Sequence, residues 1–273
     1  MNFIKTPLQK AESAIAQADA VLIGAGAGLS TAAGIHYDGP DFKKAFADMI
    51  ARYGFTDLYT SSFYPFKSEE EKWAYWSRHI DYARFAPEGK PLYKHLLELV
   101  QGKEYFVITT NVDGQFIKAG FNPDKVFEVQ GDYGLMQCAT ACHPKRYSNE
   151  SLVKQMVVGQ KDCCIPSALV PRCPVCGGPM EINVRKDQYF VEDDRWHQQA
   201  ERYYAFLEET LGKKKLALLE YGVGFNTPTI IRFPFERMSA SYPDVTLIRI
   251  NKDHRDCQTP GISHFIGLET LFL

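Results

Sequence analysis

The sequence predicts an α/β fold, a doubly wound parallel sheet with a smaller inserted module. Short apolar runs alternate with segments of helical periodicity, which is typical of stacked βαβ units. The apolar runs end in glycine or polar residues, as strands do at the binding edge of an open parallel sheet. Between about residues 133 and 184 the alternation stops, and Pro, Gly and Cys become dense. We therefore expect a discontinuous main domain, 1–132 and 185–273, around a module at 133–184.

The first half of the chain begins with a helix and a buried strand. Leu8, Ala11 and Ile15 recur at helical spacing before the apolar run at 20–23. Ser68 and Glu71 have the spacing of a capping box and predict the start of a helix that runs through Ile80, within a helical lid at about 43–90. The other predicted elements are a helix between Pro91 and Gly102, strands at 105–109, 126–129, 216–219 and 245–250, a short helix ending at Gly120, and a long helix at about 193–212.

Charge and hydropathy exclude two classes of partner. The 31 basic and 33 acidic residues give a net charge of −2, and the longest basic run is 213–215, so no nucleic-acid footprint is predicted. No apolar stretch approaches the roughly 20 residues that span a bilayer, and the first residues lack a signal-peptide core. We expect a cytoplasmic protein that binds neither nucleic acid nor membranes.

A glycine-rich turn follows the first predicted strand and precedes a helical segment. In Gly24-Ala25-Gly26-Ala27-Gly28-Leu29-Ser30 the glycines would let the backbone approach a pyrophosphate, and the helix would offer free N–H groups. Glycines also serve tight turns and close packing of a helix on a strand, and this alternative stays open. The candidate phosphate-binding residues are Gly26, Ala27 and Ser30.

Polar residues follow four further predicted strands. Thr110-Asn111-Val112-Asp113 and Glu128-Val129-Gln130-Gly131 come at two successive strand ends, which meet at one edge of an open sheet. Taken singly, Asn111 or Asp113 is more typical of a helix cap than of a catalytic residue. Small and polar residues suited to an adenosine group follow the last two strands: Gly222, Val223, Gly224, Asn251, Lys252 and Asp253.

Six of the seven cysteines lie between 138 and 176, and four of them form two close pairs. Three residues separate Cys138 from Cys142, two separate Cys173 from Cys176, and 30 separate the two pairs. Four thiolates suit a tetrahedral Zn²⁺ with no open position, which indicates a structural metal. The rival ligands are Cys163, Cys164 and His143.

The order of these motifs resembles the sirtuin family of NAD-dependent enzymes. The residues that carry the resemblance are Gly26–Ser30 with Gly34-Ile35 and Pro40-Asp41-Phe42, Thr110–Asp113, Glu128–Gly131, the cysteine insert, Gly222–Gly224 and Asn251. The resemblance implies a Rossmann-like NAD-binding domain, a zinc-ribbon module and NAD as co-substrate. It also adds Asp41 and Phe42 to the cofactor-binding residues.

Three departures from the family pattern affect the expected chemistry. Gln130 occupies the place of the family's catalytic histidine, and an amide cannot act as a base near neutral pH. The family's Gly-Ile-Pro-Asp-Phe-Arg is lengthened by four residues and ends in Lys43. The segment 181–187 is charged where deacylating sirtuins line an apolar acyl tunnel.

These features are similar to those of the macrodomain-linked microbial sirtuins called class M. That resemblance implies transfer of ADP-ribose to a lipoylated, glycine-cleavage H-like carrier protein, a role in oxidative stress, and a possible macrodomain partner. Asn111 would position the ribose and the nucleophile, Asp113 would bind the nicotinamide amide, and Gln130 would bind the ribose hydroxyls. Arg185 would either steer an anionic acceptor or form a surface ion pair.

Two other functions remain open from the sequence. One is an NAD-dependent lysine deacylase in which another group replaces the missing base. The other is a non-catalytic module that binds NAD or ADP-ribose. The aromatic residues around Tyr64, including Phe63, Phe66, Trp73 and Trp76, are interpreted as core rather than ligand contacts.

Overall fold

A computed structural model describes residues 5–257 and 259–270 and confirms the α/β fold. All pairs in its six-stranded sheet are parallel, in the order β3-β2-β1-β7-β8-β9. The chain builds outward from β1 to β3 and then restarts at β7 on the other side of β1, so the topological switch point lies between β1 and β7. The strands are β1 Ala20–Ala25, β2 Glu104–Thr109, β3 Val126–Glu128, β7 Leu216–Tyr221, β8 Val245–Ile250 and β9 Phe265–Leu268.

Helices cover both faces of this sheet because successive strand residues point to opposite sides. Val21 and Ile23 pack with one helical layer, whereas Leu22 packs with the other. The first layer contains α1 Pro7–Gln17, α2 Ala27–Ala32, α7 Pro91–Val100 and α8 Gln115–Lys118. The second contains α10 Asp194–Thr210 and α11 Arg232–Ser241.

A second, three-stranded antiparallel sheet occupies the inserted part of the chain. Its strands are β4 Gly131–Cys138, β5 Arg146–Ser148 and β6 Met180–Val184, in the order β5-β4-β6. The helix α9 Glu150–Gly159 follows β5. Short 3-10 turns lie at Pro123–Lys125 and Ser167–Leu169.

The helical lid and the inserted module share one hydrophobic core. Trp73 and Tyr75 from the lid are buried in the same cluster as Val153 and Met156 from α9. The sequence grouped the lid with the large domain, whereas its apolar side chains pack with the module. The lid helices are α3 Gly39–Ala45, α4 Ala47–Tyr53, α5 Leu58–Ser61 and α6 Glu69–Ile80, followed by a π-helical turn at Asp81–Phe85.

The start of α6 differs in one detail from the predicted capping box. Ser68 is the N-cap and its hydroxyl accepts the Glu71 N–H at 3.2 Å. The Glu71 carboxylate does not return to the Ser68 N–H; it accepts the N–H of Lys67 at 3.1 Å and pairs with Arg52 at 3.0 Å. A complete capping box is found instead at α1, between Thr6 and Gln9. Among the helices of the described residues, none has the length and apolar character that crossing a bilayer requires.

A buried ionic cluster joins β7, β8 and α11. Glu220 and Arg249 face each other in register on adjacent strands, with Arg249 Nε 2.7 Å from Glu220 Oε1 and Nη2 2.9 Å from Oε2. Arg249 Nη2 also donates to Glu236 at 2.7 Å. Burial raises the pKa of Glu220, and its bonds to Arg249 oppose that shift. Arg249 is therefore the main partner of two buried carboxylates; Arg232 is more distant, 3.6 Å from Glu220 and 3.8 Å from Glu236.

Arg249→Met should destabilise the fold by about 3–5 kcal/mol, because it leaves buried carboxylates without their main partner. Urea denaturation monitored by circular dichroism measures this change. The control is Arg202→Met, which breaks an exposed ion pair with Asp124 and should change stability by less than about 1 kcal/mol. Equal stability of the two variants would show that the cluster contributes no more than a surface pair.

Candidate functional site

A cleft lies at the carboxyl ends of β1, β2, β7 and β8. Its outer part has a volume of about 610 Å³ and its inner part about 400 Å³. The two parts adjoin, so one extended ligand could occupy both. They share Ala27, Thr31, Thr110, Asn226 and Thr227.

Most of the predicted site residues line this cleft. The outer part is lined by Gly26, Ala27, Gly222, Val223, Gly224, Asn251, Lys252 and Asp253. The inner part is lined by Ala27, Ser30, Asn111, Asp113, Gln130 and Arg185. Asp41 is exposed on α3 and Phe42 is buried in the lid core, and neither lines the two parts of the cleft. Their role in cofactor binding stays a prediction.

The glycines after β1 and β7 allow two loops to touch through their backbones. A Cβ on Gly28 would lie 2.7 Å from Gly222 Cα, and one on Gly26 would lie 2.7 Å from Gly222 O. Gly222 has a φ of +63°, which favours glycine, and its carbonyl accepts the Gly28 N–H at 2.9 Å. Gly26 and Gly28 therefore allow the loop after β1 to pack closely against the loop after β7, in the lining of the cleft. Close packing is the alternative that the sequence left open for these glycines.

Three buried polar side chains converge at the inner end. Ser30 donates its hydroxyl to Asp113 Oδ2 at 2.5 Å, and the Gln115 N–H donates to Asp113 Oδ1 at 3.1 Å. Asn111 Nδ2 donates to Gly26 O at 3.0 Å. Burial raises the pKa of Asp113, while the hydrogen bonds from Ser30 and Gln115 and the charge of Arg84 lower it. Asp113 thus orders the start of α8 and also presents a carboxylate to the inner cavity.

Gln130 lies between β3 and β4, with its side chain at the inner cavity. Its backbone carbonyl accepts the N–H of Arg185 at 3.0 Å, which ties it to the end of β6. Its side-chain Oε1 is buried and has no hydrogen-bond partner within residues 5–257 and 259–270. A buried acceptor without a donor is costly. Seven other buried side-chain atoms of the described residues also lack a partner, so what singles out Gln130 is its place in the lining of the inner cavity.

Arg185 forms an ion pair, which is one of the two roles predicted for it; its role in steering an acceptor stays a prediction. Its guanidinium pairs with Glu192, and it packs over the ring of Phe190 at 4.2 Å and that of Trp196 at 5.6 Å. The residue also lines the inner cavity. The ion pair and the aromatic rings hold this cation at the cavity rim.

Arg84, on the π-helical turn behind the inner cavity, is a residue of the site that no sequence motif indicated. Arg84 Nε lies 2.7 Å from Asp132 Oδ1, and Nη2 lies 3.1 Å from Oδ2. Its guanidinium also lies against Gly114, where a Cβ would be 2.4 Å from Cζ. Burial, followed by the charge of Asp132, raises the pKa of Glu128 to about 8, and Arg84 opposes that shift. No local pattern could have found this residue, because Arg84 and Asp132 are 48 positions apart.

The lengthened loop before α3 places Tyr37 at the inner cavity, beside Tyr133. The backbone carbonyl of Tyr37 accepts the N–H of Leu58 at 2.8 Å, and that of His36 accepts the Tyr82 hydroxyl at 2.9 Å. Phe42 instead stacks on Phe46, with ring centroids 5.3 Å apart. Of these two aromatic residues, Tyr37 lines the inner cavity and Phe42 does not.

The interpretation of the lid aromatics holds for most of them. Tyr64 lies in an aromatic cluster, with its ring 5.1 Å from that of Tyr53 and 5.0 Å from that of Phe66, and Trp73 is buried. Phe63 is 68% exposed, so its assignment to the core was wrong. It follows the short helix α5, and its ring lies edge-on to that of the exposed Tyr59, with centroids 5.3 Å apart.

At the outer end, Asn251 organises a turn. Its Nδ2 donates to Val223 O at 3.0 Å, and its Oδ1 accepts the N–H groups of Asp253 and His254 at 3.1 and 3.0 Å. Asn251 thereby fixes the loop after β8 against the loop after β7. Lys252 and Asp253 line the cleft from this turn.

The four predicted cysteines come together in the inserted module. The Sγ atoms of Cys138, Cys142, Cys173 and Cys176 all lie within 4.8 Å of one another. The Cys138–Cys176 and Cys142–Cys173 Sγ separations are 3.7 and 3.6 Å. Tetrahedral Zn²⁺ with bonds of about 2.3 Å requires about 3.8 Å between sulfurs, so the four thiols fit this metal.

The rival ligands lie outside this arrangement. Cys163 Sγ contacts Asp48 Oδ2 at 3.5 Å. His143 stands beside the cluster, with Nδ1 3.1 Å from Cys142 Sγ, but its Nε2 bonds the Tyr147 hydroxyl at 2.8 Å. The four cysteines form the one group of this kind among the described residues.

The protein should bind one zinc per chain, and Cys142→Ser should lower the zinc content and the melting temperature, because three thiolates hold the metal less tightly. Inductively coupled plasma mass spectrometry and differential scanning fluorimetry measure these quantities. Cys164→Ser, which leaves the four cysteines intact, serves as the control. Full zinc occupancy in Cys142→Ser would transfer the ligand role to His143 or another residue.

Comparison with known proteins agrees with this geometry. The model of the Sir2 family matches residues 26–203. A Staphylococcus aureus protein named protein ADP-ribosyltransferase is 42% identical over 241 residues, which cover 88% of this chain and 76% of that protein. A Fusarium oxysporum f. sp. cubense protein named probable bifunctional ADP-ribose hydrolase/ADP-ribosyltransferase is 33% identical over 255 residues, covering 89% of this chain and 42% of that protein.

Solved structures show the same fold. A structure of a Sir2 enzyme superposes with a TM-score of 0.58 at 19% sequence identity, covering 95% of this chain and 91% of its own. The family model covers more than half of the chain, and the Staphylococcus relative is matched over three quarters of its length. The chain belongs to the Sir2 family.

Proposed function

We propose that this chain is an NAD-dependent protein ADP-ribosyltransferase of the sirtuin type. The observation that carries the proposal is Gln130, an amide with an unpartnered buried oxygen at the inner cavity, where the family resemblance places a histidine base. An amide can orient a hydroxyl but cannot remove its proton near neutral pH. The identity to a relative named protein ADP-ribosyltransferase supports the same activity.

The cleft has the size and lining that NAD requires. The outer part, between the loops after β1, β7 and β8, suits the adenosine and pyrophosphate groups. The inner part suits the nicotinamide riboside, with Asn111, Asp113 and Gln130 on its wall. The unpartnered Oε1 of Gln130 provides an acceptor for a ribose hydroxyl.

NAD supplies an ADP-ribosyl group bound to nicotinamide, a leaving group that departs through an oxocarbenium-like transition state. The carboxylate of Asp113 is anchored by Ser30 and by the N–H of Gln115, so it can hold the nicotinamide amide. Asn111 is fixed by Gly26 O and orients the ribose and the incoming nucleophile. Tyr37 and Tyr133 also line this cavity, and their rings would help to keep water from the bound ribose, which would favour transfer over hydrolysis.

The acceptor is proposed from the class M resemblance. A lipoylated, glycine-cleavage H-like carrier protein would approach the rim at Arg185, whose cation suits an anionic acceptor. A role in oxidative stress and a macrodomain partner belong to the same proposal. The Fusarium relative, whose name joins ADP-ribose hydrolase with ADP-ribosyltransferase, supports a partner that removes ADP-ribose.

Incubation with NAD and a lipoylated carrier protein should add one ADP-ribosyl group to the carrier, detected by intact-protein mass spectrometry. Asn111→Ala should lower this transfer at least about 100-fold, because it removes a group that orients the reacting atoms. Asn226→Ala, at the boundary of the two parts of the cleft, serves as a comparison with a smaller expected loss. Unchanged transfer by Asn111→Ala would contradict the assigned role.

If nicotinamide is released but no adduct forms on the carrier protein, the proposed acceptor is wrong and the proposed cleavage of NAD stands. Binding of NAD without release of nicotinamide would favour the non-catalytic module.

Gln130→His should not produce efficient removal of acetyl groups from an acetyl-lysine peptide with NAD. The added histidine would still lie in a cavity lined by Arg185 beside Val184. Binding the aliphatic side chain of acetyl-lysine there would bury polar groups of the protein at a cost in free energy. Liquid chromatography of the peptide measures the reaction, with the wild type as control. Robust deacetylation by either protein would support the lysine deacylase.

A further inference from the structure

Tyr93 lies behind the inner cavity and touches two of the residues that line it. It is on α7, is fully buried, and lines neither part of the cleft. Its hydroxyl oxygen is 3.0 Å from Ser30 Oγ and 3.4 Å from Asn111 Nδ2. Residue 93 is 63 positions from Ser30 and 18 from Asn111, so only the fold joins them.

Two groups that can only accept, Gly26 O and the Asp113 carboxylate, fix the direction of these hydrogen bonds. Gly26 O can only accept, so the Asn111 group 3.0 Å from it is the amide nitrogen, and the same nitrogen donates to Tyr93. An ionised Asp113 carboxylate also only accepts, so Ser30 is the donor of their 2.5 Å bond. Tyr93 is left to donate its proton to Ser30.

We propose that Tyr93 is a positioning residue for the reaction, the central link of a one-way hydrogen-bond chain from Asn111 through Tyr93 and Ser30 to Asp113. Both amide hydrogens of Asn111 are engaged, by Gly26 O and by Tyr93, so its oxygen Oδ1 is the atom left for a ligand in the inner cavity. Hydrogen bonds that run in one direction strengthen one another. This inference rests on the proposed function, because it concerns the orientation of Asn111 toward NAD.

The test is Tyr93→Phe, which removes one oxygen and keeps the edge-to-face contact with the ring of Phe116 at 4.9 Å. Loss of the two hydrogen bonds that the Tyr93 hydroxyl makes, to Ser30 and from Asn111, should lower kcat for nicotinamide release about tenfold and weaken NAD binding about threefold. The melting temperature should fall by no more than about 6 °C. The control is Tyr105→Phe, which loses a surface bond from the Asn122 N–H and should match the wild type in kcat.

A double variant distinguishes a role of Tyr93 in the hydrogen-bond chain from a general effect on packing. If Tyr93 acts through Ser30, then the double variant Tyr93→Phe with Ser30→Ala should lose less activity than the product of the two single losses. Multiplicative losses, or a Tyr93→Phe kcat within twofold of the wild type, would overturn the inference.

The failure of this inference is distinct from the failure of the proposed function. If the wild type releases no nicotinamide at all, the enzymatic proposal fails, and calorimetric titration with NAD then decides the role of Tyr93. A weaker affinity in Tyr93→Phe than in Tyr105→Phe supports the positioning role. Equal affinities in these two variants overturn it.

Discussion

The contact between the loops after β1 and β7 sets the geometry of the cleft. Gly28 donates to Gly222 O at 2.9 Å, and neither Gly26 nor Gly28 has room for a Cβ against Gly222. These loops leave the sheet on either side of its topological switch point, where a doubly wound fold opens a crevice. Two of the cavity-lining residues are tied to this contact: Ser30 follows the first loop, and Asn111 donates to Gly26 O at 3.0 Å.

The polar side chains behind the inner cavity form most of their hydrogen bonds with one another. Ser30, Tyr93, Asn111 and Asp113 form one network, and Arg84 pairs with Asp132 beside it. Such a network is rigid, because each buried group that moved would lose a partner at a cost of about 1–3 kcal/mol. The Oε1 of Gln130 contrasts with it, because this buried oxygen of a cavity-lining residue has no hydrogen-bond partner among the described residues.

Local patterns predicted most of the large domain and less of the rest. The five strands found in the sequence are all present, because central parallel strands are continuous apolar runs bounded by turns. The edge strand β9 was missed, since Phe265–Leu268 is short and only partly buried, and α9 was missed inside a region read as irregular. Phe63 looked like core because nothing local distinguishes an exposed aromatic from its buried neighbours.

The sequence by itself determined the doubly wound α/β class, the four clustered cysteines and the strand-end motifs, because each depends on residue types at short spacing. The tertiary structure decided which distant side chains meet. It brought Tyr93 to Ser30 and Arg84 to Asp132, placed Tyr37 rather than Phe42 at the cavity, and packed the lid with the inserted module. These outcomes depend on how helices from separate parts of the chain pack on the sheet, and a one-dimensional pattern does not contain those contacts.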